Sequence, residues 1–323
     1  MWKSLKDRAE GVKEMKRMKT TEAVGQVLCH DITQIIPGVT KDAVFRKGHI
    51  IREEDIPVLL SVGKDSVYIW ENDETMMHEN DAAEVLYRMT ANEHMHPSDV
   101  KEGKIEAIAD TEGLLKVDRE KLKKVNAFGE MMIATRHGNT VVKKGDKLAG
   151  TRIIPLVIKK DKMQEAEKIC DGTPILKILP FTVKKAAIIT TGNEVYHGRI
   201  KDAFTPVIEQ KIAEFGAEMM FHEIFDDNDR KITDGCLRAI EAGADIVFCT
   251  GGMSVDPDDK TPLAIKNTGA EMISYGSPVL PGAMFLLSYY RKGDKVIPIC
   301  GLPGCAMYNR RTIFDLVLPR LMA

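Results

Sequence analysis

The sequence predicts an α/β domain with a mostly parallel sheet that is covered by helices on both faces, which is a three-layer arrangement. A smaller β-rich α+β region is expected to precede this domain. From about residue 181, short apolar runs alternate with helical patterns. Three consecutive β-then-α units occur there, and such units build a parallel sheet between two helix layers. Upstream, the apolar runs are shorter and punctuated by turns. The chain is therefore expected to divide near Pro180.

Composition narrows the class of protein. The 323 residues exceed what one core usually organises, so two or three domains are expected. Lys+Arg 46 against Asp+Glu 48 excludes a nucleic-acid-binding charge spread over the whole surface. No apolar run approaches the roughly 20 residues of a membrane span, and no secretory signal is evident. We therefore expect a cytoplasmic enzyme or small-molecule binder.

The six cysteines do not suggest a structural site. They are scattered without a CxxC pair, so the sequence indicates neither a disulfide framework nor a zinc ribbon. Reduced, mostly buried thiols are expected.

Residues 1–19 form a basic segment with apolar residues at helical spacing, among them Trp2, Leu5, Ala9 and Val12. This pattern favours an amphipathic helix. Such a helix can dock on its own protein or contact an anionic surface, and the segment can also be a tail. All of these alternatives stay open.

Region 20–180 reads as one or two α+β subdomains. Strand-like runs recur between turns, and four helices are expected from apolar periodicity. Asp118 is a plausible N-cap for the third helix. The expected helices span residues 52–63, 78–92, 118–128 and 162–170.

Region 181–323 carries the loops of interest. Strands are expected at residues 184–190, 218–225, 244–250, 271–276, 283–290 and 295–300, and helices at 206–216, 230–243, from 262 and at 306–322. In open α/β sheets, ligands bind outside the carboxyl ends of the strands. The candidate loops are therefore 190–194, 225–229, 250–259 and 301–305.

The first loop offers hydroxyls, a glycine and an acid. Thr191 and Gly192 can present a hydroxyl and backbone N–H groups to a phosphate, while Glu194 can reach a metal ion. The same residues also suit an ordinary β-to-α turn.

The third loop is the most informative. Gly251 and Gly252 allow the backbone to approach a ligand, and the carboxylates of Asp256, Asp258 and Asp259 are costly to crowd without a cation or a bound proton. The alternative is a solvated acidic loop that caps the next helix.

Acids of the second loop extend this prediction. Asp226, Asp227 and Asp229 follow a strand of the same sheet, so they can face Asp259. Hard oxygen donors from separate loops suit Mg²⁺, which usually bridges to substrate phosphate.

The last loop contains Gly301, Gly304 and Cys305 and is expected to enter a helix N-terminus with anion-binding capacity. A thiol there can have a lowered pKa, although a Cys without a nucleophilic role fits the position equally.

These motifs, in this order and spacing, closely resemble the molybdopterin-binding domain shared by MoeA, MogA, gephyrin and CinA proteins. The motifs are TGNEV, the acidic Asp227-Asn228, TGGMSVDPDD and GLPG, over roughly residues 184–323. The segments FRKGHIIREEDIPVLLSVGKDSVYIW and VKKGDKLAGTRIIP are similar to upstream parts of the MoeA family, so the whole architecture looks MoeA-like.

The resemblance implies ligands and residue roles. Family members bind molybdopterin, and the MoeA type uses its adenylylated form with Mg²⁺ to insert molybdate and release AMP. Asp259 and Asp227 would act as catalytic residues. Asp227, Asp259, Glu194 and Asp258 would be metal ligands. The ligand-binding residues would be Thr191, Gly192, Glu194, Gly251, Gly252, Ser254, Gly301, Pro303, Gly304 and Cys305.

Several positions depart from the family pattern. Leu280 and Ala283 stand where insertases commonly have lysines on either side of a Pro-Gly, which removes the charge expected to hold molybdate. Asp256 replaces a Gly, Asn193 stands where Asp is frequent, and Cys305 replaces Asn.

Three functions compete. The first is a MoeA-like transferase of molybdenum cofactor biosynthesis; the second is a non-catalytic molybdopterin carrier or sensor, which the missing lysines favour. The third is a CinA-like, Mg²⁺-dependent nucleotide pyrophosphatase. The implied partners are molybdopterin or its AMP adduct, molybdenum enzymes and, by analogy, a second copy of the chain in a homo-oligomer, favoured as a dimer. Nucleic acid is not an expected partner.

Overall fold

The computed structural model describes residues 16–36, 40–69, 75–254, 256–257 and 259–323. Two units can be distinguished by the clustering of contacts. Unit 1 comprises described residues up to Thr111 together with Leu115–Gly138 and Val142–Ile178. Unit 2 comprises Glu112–Leu114, Asn139–Val141 and Leu179–Ala323.

The chain before residue 181 forms short strands and four helices among the described residues. The strands are β1 (Lys16–Lys19), β2 (Ile32–Ile36), β3 (Thr40–Phe45), β4 (Ser66–Ile69), β5 (Met76–His78), β6 (Met95–Pro97), β7 (Lys104–Ala109), β8 (Gly113–Val117), β9 (Met131–Thr135), β10 (Thr140–Val142), β11 (Lys147–Ile153), β12 (Val157–Lys159) and β13 (Leu176–Pro180). The helices are α1 (Asp55–Ser61), α2 (Glu79–Thr90), α3 (Arg119–Ala127) and α4 (Lys160–Cys170).

The largest sheet of unit 1 has four strands in the order β6-β7-β11-β9, paired antiparallel. One face of this sheet is buried with α2, which contributes Ala82, Leu86 and Met89 to a single apolar core. A separate small core contains Leu28 and Leu59. The alternation of buried and exposed residues along β7 is the period-two pattern of a sheet with one covered face.

The four helices expected upstream are present, each shorter than or shifted from its prediction by a few residues. Asp118 is the N-cap of α3, as predicted, because its side chain accepts a hydrogen bond from the backbone N–H of Lys121. The prediction of a helix over residues 1–19 is wrong at its C-terminal end, where Lys16–Lys19 forms strand β1, paired antiparallel with β4. Main-chain pairing outweighs the weak helical pattern there. Residues 1–15 lie outside the described part.

The chain after residue 181 alternates strands and helices. The strands are β14 (Lys185–Thr191), β15 (Glu218–Phe225), β16 (Ile246–Thr250), β17 (Glu271–Tyr275), β18 (Leu286–Lys292) and β19 (Lys295–Leu302). The helices are α5 (Asn193–Tyr196), α6 (Phe204–Ala213), α7 (Asp229–Glu241), α8 (Thr261–Asn267) and α9 (Ile313–Met322).

These strands form one six-stranded sheet in the order β15-β14-β16-β19-β18-β17. The first four strands run parallel, and β18 is antiparallel to both of its neighbours. The predicted mostly parallel sheet is confirmed.

The two faces of the sheet carry different cores. Ile208 of α6 and Phe314 of α9 pack with Phe248 on one face. On the other face, α7 and α8 contribute Ile232 and Ile265 to a second core. The three-layer arrangement is therefore confirmed, with α6 and α9 opposite α7 and α8.

The last helix is shorter than predicted. It begins at Ile313, not near 306, because Thr312 and Asp315 form a capping box that fixes its first turn. Residues Gly304–Ala306 form a separate 3₁₀ turn. Within the described residues, no helix combines the length and apolarity needed to cross a membrane.

Candidate functional site

The four candidate loops leave one edge of the sheet of unit 2. Thr190 of β14 lies opposite Thr250 of β16, and Thr250 lies opposite Leu302 of β19. On the other side, Thr191 lies opposite Phe225 of β15. Because these strands are parallel, their carboxyl ends are level and the loops that follow them are neighbours, as the topology predicts.

The Gly251-Gly252 turn lies directly against the end of β14. Gly251 has φ +85°, and a Cβ at this position would lie 2.2 Å from the carbonyl oxygen of Thr191. Gly252 has φ +54°, and its Cβ would lie 2.9 Å from Oγ1 of Thr261. Both positions combine a left-handed backbone with a close contact, so a side chain is excluded at each.

Thr191 joins this turn to the start of α8. Its hydroxyl donates to the carbonyl of Thr250 at 3.1 Å and lies 3.1 Å from the hydroxyl of Thr261. The backbone N–H of Thr261 in turn donates to the carbonyl of Gly252 at 3.3 Å. These bonds hold the first and third loops together, so the structure brings Thr191, Gly251 and Gly252 to one place.

Two buried polar atoms at this edge have no hydrogen-bond partner among the residues that the structure describes. One is Oγ1 of Thr250, a residue with 0% exposure immediately before the glycine turn. The other is Oδ1 of Asp226 in the second loop. Buried polar groups normally find partners, so each atom is a candidate contact for a ligand or an ordered water.

The second loop is tied to the first. Oδ2 of Asp227 accepts a hydrogen bond from the backbone N–H of Asn193 at 3.1 Å. Asn228 caps α7 by accepting from two backbone N–H groups of its first turn. Asp226 pairs with Lys231 at 2.8 Å, and this hydrogen bond raises the pKa of Lys231.

Glu194 is exposed in α5, beside Gly192. Its carboxylate lies 3.0 Å from the point that a Cβ on Gly192 would occupy, and Gly192 itself has φ +135°. Glu194 therefore lines the first loop from the solvent side.

The acidic part of the third loop, where the structure describes it, is held by hydrogen bonds between its own residues. Oδ2 of Asp259 accepts from the backbone N–H of Asp256 at 3.1 Å, and the N–H of Asp259 donates to the carbonyl of Asp256 at 3.0 Å. Val255 and Asp258 lie outside the described residues, so the metal role predicted for Asp258 stays a prediction.

Sequence reasoning missed Tyr275. Its hydroxyl donates to the carbonyls of Met253 and Ser254 at 3.0 and 3.3 Å, which anchors the third loop to β17. Burial and the charge of Asp259 raise the pKa of Tyr275, so the phenol stays a donor. No pattern in the sequence links a tyrosine on an edge strand to a loop twenty residues earlier.

The loop after β19 differs from its prediction. Gly301 makes room for Met253, whose Sδ and Cε would lie 2.5 Å from a Cβ on the glycine. Pro303 precedes the 3₁₀ turn and accepts from the N–H of Ala306 at 2.9 Å. Gly304 has open space around its Cβ position. Since α9 begins at Ile313, the expected helix N-terminus at this loop is wrong.

Cys305 is partly buried in the 3₁₀ turn after β19. Burial raises the pKa of its thiol. A thiolate activated by a helix N-terminus, one of the two alternatives for this residue, is therefore not what the structure provides.

A second network that sequence reasoning missed lies behind the first loop. Oδ2 of Asp202 accepts from the hydroxyls of Thr190 at 3.0 Å and Thr205 at 2.5 Å. Nε2 of His222 lies 3.2 and 3.1 Å from the same two hydroxyls. Because each hydroxyl already donates its proton to Asp202, His222 must donate through Nε2.

The described residues do not assemble a metal cage on their own. Among them, no group of three or more His, Cys, Asp or Glu side chains is placed to hold a metal ion. Asp227 and Asp259 remain separate donors on different loops.

Comparison with known protein families gives a match over most of the chain after residue 181, where the four candidate loops lie. Residues 187–323 match the family described as "Probable molybdopterin binding domain". Residues 17–71 match "Domain of unknown function (DUF8806)", and this range includes the whole of the first segment likened to MoeA above. The resemblance of the C-terminal region to the molybdopterin-binding superfamily is therefore confirmed, while membership of the MoeA type stays a prediction.

Among relatives, a "Putative competence-damage inducible protein" of Bacillus cereus (strain B4264) is 30% identical over 40% of this chain and 30% of its own length. The chain thus matches about a third of that relative. Similar solved structures include the tungsten cofactor synthesizing protein MoaB of Pyrococcus furiosus (19% identity, 43% of this chain, 91% of that chain, TM-score 0.36). CinA of Thermoplasma acidophilum is another (17%, 43%, 98%, TM-score 0.36).

Proposed function

We propose that unit 2 binds molybdopterin or its AMP adduct and that the protein serves in molybdenum cofactor biosynthesis. The observation that carries this proposal is the unpartnered hydroxyl of Thr250, buried at the turn where Gly251 and Gly252 bring main chain to the ligand edge of the sheet. A phosphate that approaches this turn would accept from that hydroxyl and from backbone N–H groups. The family match over residues 187–323 supports the identity of the ligand.

The acids of the second and third loops suit a cation beside that phosphate. Mg²⁺ usually binds through one or two carboxylates plus substrate oxygens, so Asp227 and Asp259 fit as donors even without a third protein ligand. The further predicted donors are Glu194, on the first loop, and Asp258, adjacent to Asp259 in the sequence. When bound, the ion would neutralise charge on the phosphoanhydride of an adenylylated ligand. Asp227 is already oriented by the N–H of Asn193.

The reaction we propose is transfer of molybdenum from molybdate, the substrate, with release of AMP.

One observation favours a non-catalytic molybdopterin carrier as a second candidate function. Leu280 is 83% exposed and Ala283 carries no charge, so this Pro-Gly turn offers no cation to molybdate. Gly282 of the same turn is pressed against Ile313, where its Cβ would lie 2.5 Å from Cγ2. The turn is therefore built for packing.

One incubation separates the candidates. The purified chain is mixed with adenylylated molybdopterin, Mg²⁺ and molybdate, and AMP is measured. Molybdate-dependent AMP release supports the transferase, and tight binding without turnover supports the carrier. Cleavage of ADP-ribose in the same buffer would instead indicate a pyrophosphatase. Absence of both binding and turnover would contradict the proposal.

The assignment of Asp259 is tested by Asp259→Asn. We expect turnover to fall by about 100-fold, or ligand affinity by about tenfold if the protein is a carrier, because an amide removes the charge that the cation needs. Asp294→Asn is the matched control, since Asp294 is an exposed acid in the β18–β19 turn. Unchanged activity in Asp259→Asn would remove Asp259 from the site.

A further inference from the structure

Unit 1 has a hollow on the outer face of its β6-β7-β11-β9 sheet. The hollow has a volume of about 470 Å³. Its floor is formed where Gly150 of β11 lies opposite Ala134 of β9, two adjacent positions with little or no side chain. A Cβ on Gly150 would meet only the Cε of Lys104, at 3.4 Å, which is an ordinary contact. The depression therefore depends on the choice of small residues and not on a backbone requirement for glycine.

Positive side chains stand on both sides of this floor. Arg152 and Lys104 are opposite each other on β11 and β7, with Met132 beside Arg152 on β9. Arg136 and Lys147 line the other side. All four cations are partly exposed, between 40% and 68% of their side-chain surface. An object in the hollow would thus meet positive charge at two ends. Between them it would meet Gly150 and Ala134, with Glu106 opposite Gly150 on β7.

The guanidinium of Arg152 has N–H donors that make no hydrogen bond among the described residues. Its Nε donates to the carbonyl of Ile153 at 3.1 Å, and its Nη2 lies 4.0 Å from the carboxylate of Glu79, beyond hydrogen-bond length. Burial raises the pKa of Glu79, and the nearby charge of Arg152 opposes that rise. The outer edge of the guanidinium, which binds carboxylate or phosphate in a bidentate manner, is therefore available.

The remaining charges do not balance within the hollow. Glu106 accepts from both Lys104 and Lys147 at 2.6 Å, and these two bonds lower its pKa, so one carboxylate serves two lysines. Arg136 is paired separately with Asp146 at 2.9 Å. One lysine charge thus has no carboxylate of its own among the described lining residues, and the nearest carboxylate to Arg152 is that of Glu79, at 4.0 Å.

The size and chemistry of the hollow select its occupant. Small-molecule sites usually measure about 300–1,000 Å³, and this hollow falls in that range. Among the described residues that line it there is no aromatic side chain, which disfavours stacked nucleic-acid bases. It lies on the face of the sheet and not at an edge, so an added peptide strand cannot pair with it. We propose that unit 1 binds a small organic anion, a carboxylate or phosphate on an apolar body, with its charge on Arg152 and its body over Gly150 and Ala134.

Calorimetric titration of the full chain with 1-naphthoate, 1-naphthyl phosphate and the neutral 1-naphthalenemethanol tests this. At least one anion is expected to bind at least tenfold more tightly than the neutral compound. Arg152→Gln should weaken that binding about tenfold, and Gly150→Leu should abolish it by filling the hollow. Glu106→Gln should strengthen it about threefold, since it removes the one carboxylate found among the described lining residues.

Two variants keep the result specific. Lys123→Gln, at an exposed position on α3, should bind as the parent does, and Asp259→Asn should do so as well, because its change lies in unit 2. The preferred anion tells carboxylate from phosphate ligands. The proposal is overturned if neither anion binds, if the neutral compound binds equally, or if Arg152→Gln, Gly150→Leu and Glu106→Gln, each with a parental melting curve, leave affinity unchanged.

Discussion

Two glycine-rich loops leave neighbouring strands of unit 2, and their glycines do different work. After β16, Gly251 and Gly252 have left-handed backbones pressed against Thr191 and Thr261. At the end of β19, Gly301 lies under Met253, and Gly304 in the turn that follows has free space around it. The first loop is a turn that only glycine can make, whereas the second owes its first glycine to side-chain packing.

The difference shows that a shared motif letter does not imply a shared role. A glycine can be required by its φ angle, by a ligand or by a neighbouring side chain. In the loop after β16, the backbone requirement coincides with an unpartnered hydroxyl on Thr250, so a ligand role is supported. In the loop after β19, Gly301 is explained without a ligand.

Gly251→Ala should give the largest effect. A Cβ there would lie 2.2 Å from a backbone oxygen, which cannot move as a side chain can. Strain at φ +85° adds to this clash, so we expect a loss of about 3 kcal/mol in the free energy of unfolding and no measurable ligand binding. Urea denaturation and ligand titration measure the two effects.

Gly304→Ala is the control for this change. Nothing lies within 4 Å of its Cβ position, and its φ is outside the left-handed region. Stability should stay within about 0.5 kcal/mol of the parent. Equal losses in the two variants would break the contrast between the loops.

Gly301→Ala should cost about 2 kcal/mol through overpacking against Met253. Because the clash is with the flexible end of a side chain, shortening that side chain should relieve it. We therefore expect Gly301→Ala and Met253→Ala to be non-additive, with the double variant more stable than the sum predicts. Strict additivity in urea denaturation would show that Gly301 is required for another reason.

The sequence predicted the sheet and the loop positions well, because apolar period and β-then-α order are local signals. Asp118 as a cap follows from the same kind of signal. The helix prediction for residues 16–19 was wrong for the opposite reason. Strand β1 depends on pairing with β4, about fifty residues away, and no local pattern reveals this pairing.

The site was predicted less completely than the fold. Motif spacing located Thr191, Gly251 and Gly252, which the structure places in contact. It did not indicate Tyr275 or the His222 network, because these side chains reach the loops across strands. The prediction that α9 begins near residue 306 overlooked the capping box at Thr312.

The network behind β14 gives a smaller, pH-dependent effect. Burial opposes ionisation of Asp202, but hydrogen bonds from Thr205, Thr190 and the N–H of Phe204 outweigh it and lower its pKa below 3.8. A lowered pKa contributes stability that is present above the unfolded-state pKa and lost as pH falls through the folded-state value. Asp202→Asn should therefore be less stable than the parent by about 1 kcal/mol at neutral pH.

Urea denaturation at pH 6 and near pH 3 measures this difference. It should shrink at the lower pH, because there the carboxylate takes up a proton in the unfolded chain more readily than in the folded one, and the parent loses part of the stability that ionisation supplies. Asp294→Asn, at an exposed turn, should show no such trend. A difference for Asp202→Asn that is the same at both pH values would mean that the network does not depend on the charge of Asp202.

Thr250→Val should have the smallest effect on stability and yet a clear effect on the site. Its hydroxyl has no hydrogen-bond partner in the described part of the chain, so its removal breaks no bond seen there, and the free energy of unfolding should change by less than about 0.5 kcal/mol. Thr191→Val, which removes a hydroxyl bonded to Thr250 and Thr261, should instead cost about 1 kcal/mol. Titration with molybdopterin should show about tenfold weaker binding for Thr250→Val, because a hydrogen bond to a phosphate is lost. If Thr250→Val bound molybdopterin with the affinity of the parent, the ligand would lie away from the turn after β16. The two loops would then differ only in why they need glycine, and not in ligand binding.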